Sequence, residues 1–105
     1  MYTKLKYSIM ALLLLPQVAD AAVVLSAQHI KDVIVNLDSG IHFRSTEAMV
    51  NPDDCASGSW YKLDSESKYE KEAFSLLLSA QARDKTITVY LNGCTGSYPK
   101  VSYVY

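Results

Sequence analysis

The sequence predicts a small α+β domain, mainly β, with a single helix. Three observations carry this. The chain has 105 residues, room for one domain. Five short stretches alternate apolar and polar residues with the period of a strand. One stretch, Lys68 to about Ala82, shifts to a 3.6-residue period. Half of the residues are apolar, a fifth are charged, and the formal net charge is −1. That excludes low-complexity disorder and offers no basic footprint for nucleic acid.

The first 21 residues read as a removable export signal. Lys4 and Lys6 precede the apolar run Tyr7–Leu15, which stops at Pro16, and Ala19-Asp20-Ala21 is a small-residue cleavage pattern before Ala22. The run is too short to span a bilayer, which takes roughly 20 apolar residues. The expected organisation is therefore a signal at 1–21 and one domain at 22–105. The product is exported to the periplasm or medium, without a membrane span after cleavage. Its formal charge would be −2.

The elements follow in order. Val23–Leu37 reads as one long strand whose stripe is broken by His29 and Lys31, predicting a bend or bulge near 29–31. Asp38-Ser39-Gly40 is a turn, and Ile41–Ser45 returns as a hairpin. Residues 46–58 hold Asn51-Pro52-Asp53-Asp54 and Ser57-Gly58, the main loop. Ser59–Leu63 is a short aromatic strand. Ser67 with Glu70 has the spacing of a capping box. Tyr69, Ala73, Leu76, Leu77 and Ala80, widened by Phe74 and Leu78, form a broad apolar helix face. Glu70 and Glu72 at its start and Arg83 at its end suit the macrodipole. Thr86–Asn92 is a strand with Ile87, Val89 and Leu91 inward. Gly93–Pro99 is a loop, and Val101–Tyr105 is a final strand.

Cys55 and Cys94 are the only cysteines. In an exported chain of this size they predict one disulfide, since the spacing lacks the pairs of a zinc site. Three strands, a helix and two strands is the order of the five-stranded oligonucleotide/oligosaccharide-binding (OB) barrel; a plain α+β sandwich has the same order. In the barrel the third and fifth strands run parallel. Cys55, just before the third, and Cys94, leading into the fifth, would then be neighbours.

Little in the chain suggests catalysis. The turn at 38–40 would pair His42 with Asn36 or Leu37, leaving His29 roughly 23–26 Å away. Each histidine then reads as a surface or edge residue, and no Ser-His-Asp set can be assembled. Asp53-Asp54 lacks the rest of a calcium loop and reads as solvated loop acids. No phosphate loop, metal motif or cofactor motif occurs. The aromatics are numerous. Tyr61, Tyr69 and Tyr103 are expected to fill the core with their hydroxyls at its edge, whereas Tyr98 sits among Thr95, Gly96 and Ser97, a grouping suited to a sugar ring.

The segment Tyr69–Leu91, with Phe74-Ser75-Leu76-Leu77 on the helix and Ile87-Thr88-Val89-Tyr90 on the strand, resembles the helix-to-strand segment of B subunits from subtilase-type and pertussis-type toxins. It also resembles that of small exported bacterial proteins with a Cys before the helix and a Gly-Cys after the next strand. The toxin resemblance implies a secreted, disulfide-bonded barrel that assembles as a pentamer and binds sialylated glycans. The expectation is an exported, non-enzymatic binding module for a glycan or cell-surface ligand, with a homo-oligomer in view. The loops that frame the ligand in such barrels nominate Asp38, Ser39, Thr95, Ser97 and Tyr98, with Arg44 beside them. The alternative is a secreted or periplasmic protein-interaction factor, an inhibitor or envelope accessory, using an exposed C-terminal strand.

Overall fold

The computed structural model describes residues 22–105; the expected export signal at 1–21 lies outside the described residues. Among them are six strands and one helix: β1 (Val23–Gln28), β2 (Ile30–Asn36), β3 (Gly40–Ser45), β4 (Tyr61–Leu63), α1 (Glu70–Ala82), β5 (Ile87–Thr95) and β6 (Tyr98–Val104). They form one mixed sheet in the order β1-β5-β6-β4-β3-β2. The mainly-β, α+β class stands. The closed five-stranded barrel is corrected: six strands form an open sheet with β1 and β2 at its edges.

The sixth strand comes from breaking the expected first one. Ala27 adopts a left-handed φ of 54°, and the pairing shifts register between Leu25 and Gln28, and again between Ile30 and Asp32. The chain thus crosses from β5's partner to β3's partner through His29, and the predicted irregularity near 29–31 is present. His29 is pinned by Glu47, whose carboxylate accepts the His29 backbone N–H at 2.7 Å and pairs with ring Nδ1 at 2.6 Å.

The β2–β3 turn differs from the expected one. The side-chain oxygen of Asn36 accepts the backbone N–H of Asp38 and of Ser39, closing the turn over 37–39. Asn36 therefore pairs with Gly40, and His42 faces Ile34 rather than Asn36 or Leu37. Gly40 begins β3 at φ +111°, a conformation that favours glycine.

β4 and β6 run parallel, Lys62 opposite Lys100 and Leu63 opposite Val101. This brings Cys55 and Cys94 together in the expected disulfide, with Cα atoms 5.8 Å apart. Cys94 is not in a loop, however. β5 continues to Thr95, β6 starts at Tyr98, and Gly96-Ser97 closes a two-residue hairpin with Gly96 at φ +60°. The C-terminal strand is therefore interior to the sheet, and the expected exposed edge is supplied by β1 and β2 instead.

The core comprises Ile30, Phe43, Tyr61, Leu63, Ile87, Val89, Leu91 and Val101 from the sheet with Leu77 and Ala80 from the helix. Tyr61 is fully buried and its hydroxyl accepts the Val50 N–H at 3.0 Å, as expected of a core tyrosine. Tyr69 and Tyr103 are exposed, a correction, because Tyr69 precedes the first helical turn and Tyr103 lies on the outer face stacked on Tyr90. The helix face is narrower than its sequence suggested: Leu77 and Ala80 are buried while Leu76 and Leu78 are exposed. The capping box does not form. Ser67 Oγ accepts the Tyr69 N–H, the N-cap is Tyr69 without a side-chain bond, and Glu70 is left free to reach elsewhere. Arg83 is the C-cap residue, so the last helical turn carries no base.

Candidate ligand-binding face

On β3 the odd positions, led by Phe43, point into the core, so Gly40, His42 and Arg44 share the outer face. Lys62 on β4 and Lys100 on β6 continue that row. Although it faces outward, His42 is only 2% exposed. Two turns bury it. From the β2–β3 turn, Ser39 Oγ lies 2.9 Å from His42 Nε2. From the start of β6, Tyr98 sets its ring edge-on to the imidazole, with centroids 4.7 Å apart. Nδ1 is buried with no partner among the described residues. Burial, and secondarily the nearby Lys62 ammonium, hold His42 below its ordinary range. The neutral ring and the Ser39 hydroxyl share this one hydrogen bond, its direction set by the ring's tautomer.

Lys62 runs along the same face toward the turn. Its ammonium lies 3.6 Å, and a Glu70 carboxylate oxygen 3.5 Å, from where a Gly40 side chain would begin. That Glu70 oxygen is buried without a hydrogen-bond partner. Absence of a side chain at residue 40 thus leaves a donor and an acceptor facing one space beside His42.

The expected site residues divide accordingly. Ser39 and Tyr98 converge on His42. Arg44 lies two residues along the same strand, but is committed: its Nε donates to Asp32 at 2.6 Å and its guanidinium sits 4.6 Å from the centre of the Trp60 ring. Thr95 pairs with Tyr98 across the hairpin, and the Ser97 carbonyl accepts the Ser57 N–H, tying this hairpin to the long loop. Asp38 is exposed at the turn tip. Sequence reasoning missed His42, Lys62 and Glu70. His42 was expected at the surface; its burial depends on Tyr98 arriving from another hairpin, which no local pattern announces. His29 is exposed, as expected. Asp53 is not simply solvated: its carboxylate accepts the Gly93 N–H at 2.7 Å beside the disulfide.

Among the described residues no group of three or more His, Cys, Asp or Glu is placed to hold a metal ion, and no helix is long and apolar enough to cross a membrane. No family model matches the sequence, and no curated protein or solved structure matches it either. Nothing in these comparisons links the chain to toxin B subunits.

Proposed function

We propose that this is an exported, non-enzymatic binding module whose ligand is a glycan, seated on the outer face around His42. The observation that supports it best is the convergence of Ser39 and Tyr98, from two separate turns, on one buried imidazole. Sugar hydroxyls both donate and accept, and this face offers the Ser39 hydroxyl beside an aromatic ring, while Lys62 is itself only 5% exposed. Thr95 and Ser97 extend the hydroxyl rim. The sheet order and the parallel β4–β6 pair support an opened-out OB-like reading, in which the β2–β3 and β5–β6 turns frame the ligand. The Ser39–His42 pair does not favour hydrolysis, because a nucleophilic serine needs its histidine oriented by a third group at Nδ1. An array of neutral and sialylated glycans tests the reading. Retention of a defined subset is expected, with affinity falling roughly tenfold in Tyr98→Ala through loss of the aromatic contact. No retained glycan at all would overturn it.

One observation favours the second reading, a protein-interaction factor. β2 is an edge strand, and Val35 and, just beyond it, Leu37 are 54% and 95% exposed. Such an edge can accept a partner's strand. A single stoichiometric protein partner from the cell envelope, released by Val35→Lys, would select this reading.

A further inference from the structure

Away from His42, the helix packs chiefly on β2 and touches β6 more lightly. Between α1 and β6 this leaves a cleft of about 420 Å³. That is within the roughly 300–1,000 Å³ of small-ligand pockets. Leu63, Val101 and Val104 line it from the sheet side and Ala73 and Leu76 from the helix. Tyr69, Leu76 and Tyr103 are exposed, at 62%, 37% and 51%, and all three border this one concavity. Solitary exposed apolar residues are ordinary; several around a cleft mark a binding surface.

The charges around it are one-sided. Asp64, Glu70 and Glu72 line the cleft against one cation, Lys100. Glu70 and Glu72 are also explained by the helix dipole, which favours acids in a first turn. The Glu70 carboxylate also reaches the space at Gly40, where its unpartnered oxygen lies near the Lys62 ammonium. At the mouth the Tyr69 ring already carries the Lys68 ammonium, 5.3 Å from its centre, which shows that a cation can sit there.

We propose that the α1–β6 cleft binds a small amphipathic organic cation, its flat apolar body against Leu63, Leu76 and Val101 and its ammonium at the carboxylates of Asp64, Glu70 and Glu72. The site shares Glu70 and Lys100 with the border of the His42 face but does not rest on the glycan reading.

Amide chemical-shift titration of the protein with tryptamine, and with indole-3-propionate as the anion of similar shape, tests this. Tryptamine is expected to shift the amides of residues 63–76 and 100–104 saturably, with indole-3-propionate leaving them in place. Glu70→Gln with Glu72→Gln should weaken tryptamine about tenfold or more, as loss of charged hydrogen bonds does. Leu76→Trp should fill the cleft and abolish binding, while Tyr98→Ala should leave it unchanged. All three variants are at exposed or half-exposed positions, and the unliganded spectrum shows whether they remain folded. Equal response to cation and anion, shifts outside the cleft, or no response at millimolar tryptamine would overturn the proposal. So would shifts of the same amides on protein dilution alone, which would assign the cleft to a second copy of the chain.

Discussion

Ser39 and His42, three residues apart, are joined by a 2.9 Å hydrogen bond between the serine hydroxyl and the imidazole Nε2. The bond exists because Asn36 closes the turn early and brings Gly40 into the strand, so residues 39 and 42 meet on one face. It makes His42 a reporter of the whole face.

The two histidines should therefore titrate in opposite directions. His42 lies below 6.5 through burial and Lys62, whereas His29 lies above it through its bond to Glu47. Between the lowered folded value and 6.5 the unfolded chain binds more protons at His42, so its contribution to stability falls as pH falls through that window. For His29 the sign reverses: its contribution is present below 6.5 and is lost as pH rises through the raised folded value. Glu47, held low chiefly by the same bond, contributes above its ordinary 4.5 and loses this as pH falls through its folded value. Proton NMR titration of the two imidazoles should give apparent values on opposite sides of 6.5. His42→Gln should flatten the acid-side loss of stability.

Loss of the disulfide should destabilise the domain severely. The bridge joins positions 39 apart, and the chain-entropy model gives about 4 kcal/mol for a loop of that length. A domain of this size has little more than that in net stability. Thermal melts of the Cys55→Ser, Cys94→Ser double variant should show a greatly lowered or absent transition.

Gly40→Ala should cost about 1–3 kcal/mol, the range for a side chain forced into a sparsely populated backbone region. The strain comes from φ +111° and not from crowding, since the nearest side-chain atoms stand 3.5–3.7 Å away, ordinary contact distance. Denaturant midpoints check this, and Gly40→Ser should be no milder.

Tyr61→Phe should lose about 1–3 kcal/mol by leaving the Val50 N–H without its acceptor. Faster hydrogen exchange at Val50 would show the loss at its source.

Much of the frame was legible from patterns that act locally. The period-two run Ile87-Val89-Leu91 lies in the core, the 3.6-residue run is a helix, and two cysteines in a small domain are bridged. What escaped depends on contacts distant in sequence or on single side chains. Asn36 moved the turn by its own hydrogen bonds. Ser67 satisfied Tyr69 instead of closing a box with Glu70, which sent that carboxylate toward Gly40. Ala27, an unremarkable residue in an apolar stripe, took the left-handed backbone that splits the first strand. Of the expected site, Ser39 and Tyr98 were legible because turns carry small polar and aromatic residues. The histidine that joins them was not, since its burial is made by both turns together.

The most direct test of the central claim is an amide shift map with the best-retained glycan of the array. The account predicts saturable shifts at residues 39–42, 62 and 98–100, with the His42 ring signals moving in step. Saturable shifts confined to the opposite edge of the sheet, with His42 unmoved, would contradict it.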